Sequence, residues 1–306
     1  MSTAPVSLAP PPRGLRIVSY GAIYLLWGAS FLAIRVVVAS VPPLLAAGFR
    51  FLLAGVVLFV WGRLRGAAFP NLQQWRSAVL LGVGMFALDY GPLFWAEQRV
   101  ASGIAAIVAA LIPVWVAGFE WTRAARAISS RLVLGTACGL AGVVVLSLTP
   151  ARGNPRHIEW LPLAALLLGT FAWAFGTIWS QRLPLPASKP MSASIQMMMG
   201  GVALTIVSLC VGDMRSFQPS HVDGTVVFSM VYLILGASIL AFTAYVWLLG
   251  HEPPTRVASY AYVNPVIAVL LGWSLGRERL SIEVILGMML VLAGVIAVLG
   301  ESKAAQ

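Results

Sequence analysis

Charge is scarce in this chain. Only 10% of its 306 residues are Asp, Glu, Lys or Arg, and the acidic ones number 10 against 20 basic. A soluble domain of this length needs a charged shell, so the shortage excludes folding in water. With 59% hydrophobic residues and a mean hydropathy of +0.89, the solvent is a bilayer. Cysteine is nearly absent too. Cys138 and Cys210 lie inside apolar stretches without CxxC or His spacing, which argues against a disulfide or a metal site and reads both as packing residues. The three histidines, His157, His221 and His251, fall in loops far apart in sequence, so no converging set of nucleophile, base or metal ligands supports a membrane enzyme. No loop is long enough to house a soluble catalytic domain, and no cofactor is implied. The spans present mostly apolar and aromatic faces, which do not line a channel. Net charge of +10 would suggest nucleic acid in a soluble protein, but here the basic residues lie mainly between apolar stretches, where membrane topology accounts for them.

What is present is a repeat. Residues 265–298 copy residues 113–146 at an ungapped offset of 152: Pro265 answers Pro113, Trp273 answers Trp121, Ser281 answers Ser129 and Gly287 answers Gly135. Upstream, at an offset of 146, Trp173 answers Trp27 and Gly201 answers Gly55. Residues 1–16, with Pro5, Pro10, Pro11 and Pro12, read as a disordered tail. A cleaved signal peptide does not fit, because the apolar run from Ile17 to Ala39 is long enough to span and no small-residue cleavage pattern follows it. At about 20 apolar residues per span, helices are predicted at 17–39, 43–62, 76–96, 101–121 and 131–148, then at 160–182, 192–211, 224–249, 255–275 and 282–299. The expected fold is all-α: ten transmembrane helices in two five-helix repeats, 17–149 and 150–300, followed by a 301–306 tail. Five is odd, so the second repeat enters from the opposite side and the two are inverted. In the first repeat Arg13, Arg16, Arg63, Arg65, Arg76, Arg123, Arg126 and Arg131 fall on the N-terminal side against Arg35 and Arg99 on the other, which puts both termini in the cytoplasm.

Ionisable groups deep in a span cost about 2.5 to 3.5 kcal/mol each, so each needs a reason. Arg50 and Asp89 are the clear cases, each about 12 Å deep from the outer side by helical rise. Two readings stand: an ion pair locking the second and third helices, or a substrate-carboxylate contact for Arg50 with a proton-binding role for Asp89. Glu97 and Glu120 fall near span ends and read as interfacial. Tyr260 and Asn264, four apart on one helix face, form a polar wall beside Pro265, and Pro113 takes the equivalent place in the first repeat. Matched breaks of this kind either bend two helices for packing or mark a substrate site. Trp27 and Trp173 sit at matching mid-membrane depths and offer stacking surface, which Ser30, Tyr90, Phe94 and Tyr245 would extend. Gly135, Gly139, Gly142, Gly287 and Gly294 allow close helix contact, within a monomer or in a homodimer.

The run Tyr24, Leu25, Leu26, Trp27, Gly28, Ala29, Ser30, Phe31, followed by Pro42, Pro43 and Gly48, Phe49, Arg50, Phe51, resembles the opening of the EamA domain of the drug/metabolite transporter superfamily. Residues 113–142 and 265–294 resemble its close. The resemblance implies two inverted five-helix repeats around a central cavity. It also implies secondary transport, often export of amino acids or other small metabolites across a bacterial inner membrane, with the aromatic amino acid exporters as the branch named first. The expected partners are a small-molecule substrate and the lipid bilayer. Unlike the nucleotide-sugar and phosphate-sugar branches, this chain has no mid-membrane cluster of Lys and Arg, which argues against polyanionic substrates.

Overall fold

A computed structural model of the protein describes residues 13–123, 130–147 and 160–304, and among these every regular element is a helix. Most of the N-terminal tail, the repeat boundary at 149/150 and His157 lie outside the described residues. We label the long helices α1 (Arg13–Val38), α2 (Pro43–Leu64), α3 (Leu72–Ala96), α4 (Ser102–Thr122), α5 (Ser130–Ser147), α6 (Trp160–Ser180), α7 (Lys189–Val211), α8 (Gly224–Leu249), α9 (Tyr260–Ser274) and α10 (Ile282–Ala304). Seven of them, α1 to α4 and α6 to α8, are long and apolar enough to cross a membrane. The apolar stretches of α9 and α10 are shorter, at Val263–Ser274 and Ile282–Gly294.

Local chemistry sets the boundaries. Pro43 occupies the first turn of α2, where its missing N–H would have had no helical partner. Asn71 and Gln74 close a reciprocal capping box, both bonds 2.9 Å, which starts α3 four residues before the span predicted from hydropathy alone. Asp223 caps α8 by accepting from the Val226 amide at 2.9 Å. Gly212 ends α7 with φ +81°, a conformation that a side chain would strain. Burial follows the logic of lipid. Leu25, Leu168, Phe228 and Leu270 are exposed on the outside of the bundle, whereas Arg35, Arg50 and Glu97 are buried inside it.

Inversion can be read from side-chain contacts. Arg16, at the start of α1, meets Glu252, just past α8, at 3.0 Å. Ser180, at the end of α6, lines a cavity together with Gly250, two residues before Glu252. Hence α1 begins at the face where its counterpart α6 ends. Counterpart helices also pack together, α2 against α7 and α5 against α10. Small residues permit the approach. A Cβ at Gly201 would lie 2.5 Å from the Leu52 amide, and one at Gly142 would lie 2.8 Å from the Gly287 carbonyl. The glycines of α5 and α10 therefore serve a contact within one chain. A Gly294→Val change drives a branched side chain into the Gly135 carbonyl and should cost about 1–3 kcal/mol. Thermal midpoint in detergent checks this, since an unshifted midpoint would show that the crossing is loose.

α3 and α8 each contain a π-helical stretch, Gly82–Ala87 and Leu233–Leu240. Moving 152 positions on from 82–87 lands at 234–239, so the wide turns occupy equivalent places in the two repeats. A π turn advances the helical phase of everything after it and is often found at functional sites. Both stretches reach the centre of the bundle.

Candidate functional site

The centre is a cluster of interlocking rings. Trp27 of α1 touches Trp173 of α6 edge to face at 5.7 Å, Tyr245 of α8 at 5.2 Å and Tyr260 of α9 at 4.9 Å. Trp173 in turn meets Tyr90 of α3 at 5.7 Å. Phe86, inside the π stretch of α3, joins Phe51 at 4.8 Å and Phe242 at 4.9 Å. Edge-to-face pairs of this kind add about 0.5–1.5 kcal/mol each beyond burial. The polar atoms are mostly spoken for. Trp27 Nε1 donates to the Ala237 carbonyl at 2.9 Å, Ser30 Oγ to the Trp27 carbonyl at 2.7 Å, and Tyr245 Oη lies 2.6 Å from Thr177 Oγ1. Trp173 Nε1 is the exception, buried with no hydrogen-bond partner.

Arg50 lies beside this cluster and is 0% exposed. Its Nε donates to Ser238 Oγ at 2.8 Å. Its guanidinium carbon stands 4.6 Å from the Phe51 ring centre, 5.1 Å from Tyr90 and 5.9 Å from Phe94. Both terminal nitrogens, Nη1 and Nη2, are buried without a hydrogen-bond partner. The expected Arg50–Asp89 ion pair does not form. Asp89 and Tyr90 are consecutive on α3 and so point about 100° apart. Tyr90 takes the face toward Arg50, and Asp89 turns to α6, where a Cβ at Gly169 would lie 2.8 Å from its Oδ1.

On the side away from the N-terminus the bundle is sealed by a buried latch. Arg35, near the end of α1, meets Glu278 at 3.1 Å and donates to the Val100 carbonyl at 2.5 Å. Glu278 also accepts from the Ser102 amide at 2.9 Å, the Ser102 hydroxyl at 2.8 Å and the Gly103 amide at 3.4 Å, all at the start of α4. Glu97, just past α3, is inside this region and not interfacial: it is 1% exposed, with neither carboxylate oxygen hydrogen-bonded. The turn that follows α3 folds back over it, since the amides of Arg99 and Val100 both bond to the Ala96 carbonyl.

The opposite side holds a cavity of about 420 Å³. Its rim is the α6–α7 segment, from Ser180 to Lys189, with the end of α8, and its inner wall includes Met85, Gln196, Phe242 and Tyr245. From that wall a chain of ring contacts runs through Phe242, Phe86 and Phe51 to Arg50. The prolines behave differently from each other. α4 breaks at Ala110 and Leu111, just before Pro113, whereas α9 stays helical through Pro265 and is separated from a preceding turn, Pro254–Val257, at Ala258 and Ser259. Pro113 sits in a first turn, where its missing N–H is harmless; Pro265 sits in a helix interior held by packing. Neither is among the residues lining the cavity. Asn264 is turned away from a ligand role as well. With its amide oriented by the network, it donates to the carbonyls of Tyr24 at 3.0 Å and Tyr260 at 3.2 Å, tying α9 to α1. Sequence reasoning missed Phe51, Phe86, Phe242, Ser238 and the latch; the 152-residue offset, which pairs Phe86 with Ser238 and Tyr90 with Phe242, was the available signal for the residues of α3 and α8.

Comparison with known proteins agrees with this architecture. The EamA-like transporter family matches the chain twice, at residues 18–148 and 160–300. The chain is 39% identical over 282 residues to the uncharacterized inner membrane transporter YedA of Escherichia coli (strain K12), covering 92% of this chain and 89% of that one. It is 28% identical to a probable amino-acid metabolite efflux pump of Salmonella typhimurium, covering 89% and 90%. A crystal structure of a protein 22% identical in sequence superposes with a TM-score of 0.66 over 97% of this chain, which speaks to the fold alone.

Proposed function

This chain belongs to the EamA-like transporter family, and on that premise we propose that it exports amino acids, those with aromatic and other apolar side chains first, across a bacterial inner membrane. Proteins of this family are transporters and not enzymes. In this reading the chain crosses the bilayer ten times in two inverted sets of five, both termini face the cytoplasm, and the site between the repeats is exposed to each side in turn. The observation that carries the reading is Arg50: a fully buried guanidinium with two unpartnered NH2 groups, caged by aromatic rings. A guanidinium presents a planar fork that fits a carboxylate in bidentate fashion. Rings beside it favour a substrate with an apolar or aromatic body. The relative named as an amino-acid metabolite efflux pump supports the same class. The cavity on the N-terminal side and the latch on the other fit a carrier open to the cytoplasm.

Counterflow in proteoliposomes tests this. Vesicles preloaded with L-phenylalanine should accumulate labelled L-phenylalanine transiently and saturably, with competition from L-tryptophan and L-leucine. Flux linear in concentration without counterflow would indicate a channel and overturn the reading.

A further inference from the structure

An ionisable acid and an ionisable base are buried in this protein without a bond between them. Both carboxylate oxygens of Glu97 and both terminal nitrogens of Arg50 have no hydrogen-bond partner. Other described acid–base neighbours are matched: Arg35 with Glu278, and Arg16 and Arg256 with Glu252. Burying an ionisable group without a partner costs several kcal/mol, so two such groups, one beside Phe94 and one a helical turn further along, need a reason. Phe94 connects them. Its ring lies 5.9 Å from the Arg50 guanidinium, and Glu97 follows it by three residues, one turn further toward the latch.

We propose that Arg50 and Glu97 form a head-group site for an α-amino acid zwitterion, the carboxylate on the two NH2 groups of Arg50 and the ammonium on Glu97. The side chain then lies among Phe51, Tyr90 and Trp173. This deepens the amino-acid reading above and rests on it. It also supplies a coupling ion. An ammonium and a proton compete for the same oxygens, so the empty site holds a proton on Glu97 and the loaded site does not. Binding of the amino acid releases that proton and forms or breaks no other bond; on the far side the amino acid leaves and a proton returns. Outward movement of substrate is thereby tied to inward movement of a proton.

The surroundings fit this exchange. Glu97 is faced by Arg35 of α1, Arg50 of α2 and Glu278 before α10. Burial pushes its carboxyl well above the usual carboxylate range, against the pull of Arg35 and Arg50 and with Glu278 adding to the rise.

The test compares two probes on the purified full chain, L-phenylalanine and 3-phenylpropionate, which lacks the ammonium. Binding is followed by calorimetry across roughly pH 5 to 8. Affinity for L-phenylalanine should rise with pH, approaching tenfold per unit while Glu97 is protonated, with about one proton released per molecule bound. Affinity for 3-phenylpropionate should fall with pH, because the ionising Glu97 repels it. Glu97→Gln should flatten both profiles and abolish proton release. Parallel profiles for the two probes in the unaltered protein would overturn the proposal even if the variant did not fold. L-phenylalanine bound with flat pH dependence would sink the Glu97 assignment and leave the amino-acid reading standing. Binding of 3-phenylpropionate alone, or of neither probe, would sink both.

Discussion

Arg35→Gln should destabilise the protein by about 3–5 kcal/mol, because it removes one member of a buried ion pair and leaves the other charged. Glu278 would keep its bonds to Ser102 and Gly103 but lose its only cation among the described ion pairs. Glu97 would then face Glu278 with Arg35 gone, and two carboxylates would share one low-dielectric pocket. Replacing both latch partners, Arg35→Gln with Glu278→Gln, should restore much of the loss, because no charge is then stranded. The check is a double-mutant cycle on thermal or denaturant stability in detergent. Additive losses would show that the latch is two independent residues. The same latch joins α1, the α9–α10 segment and the start of α4, so the double variant should also expose a cysteine at Ser102 to an impermeant reagent added from the side away from the N-terminus.

The second large effect has the opposite sign on stability. Arg50→Gln should leave the fold as stable as before or more so, while L-phenylalanine transport falls by about a hundredfold or more. Arg50 is buried with one hydrogen bond, to Ser238, and its other two nitrogens are unmatched. Each unmet buried donor costs about 1–3 kcal/mol, a cost the uncharged side chain removes. A bidentate pair to a substrate carboxylate is worth about 3 kcal/mol, at about 1.5 kcal/mol per charged hydrogen bond, which corresponds to the hundredfold loss. A residue that only packed would lose stability and transport together. Thermal midpoints and proteoliposome rates on one preparation separate the two outcomes.

Much of the architecture was legible in the sequence. The 152-residue offset exposed the repeat, and an odd number of spans implied its inversion. Trp27 and Trp173 were readable because they recur at one depth, and the structure brings them together with Tyr90, Tyr245 and Tyr260. Orientation about each helix axis was not legible. A hydropathy run fixes depth but not which way a side chain points, and the π turns in α3 and α8 shift the phase just where it matters. That is why Asp89 looked like the partner of Arg50 although its neighbour Tyr90 holds that face, and why Glu97, at a span end, looked wet although it is buried. Asn264 shows the same limit: a mid-membrane amide reads as a ligand group until the carbonyls of Tyr24 and Tyr260 are seen to occupy it.

The central claim is that Arg50 receives the substrate's carboxylate. The most direct measurement is the ratio of dissociation constants for L-phenylalanine and its amide, L-phenylalaninamide, in the unaltered protein and in Arg50→Gln. Measured at about pH 6, where its amine is still protonated, the amide keeps the ring and the ammonium and loses only the negative charge. The unaltered protein should prefer L-phenylalanine by about a hundredfold, and Arg50→Gln should bring the ratio close to one. An equal preference in both proteins would place the carboxylate elsewhere and contradict the account.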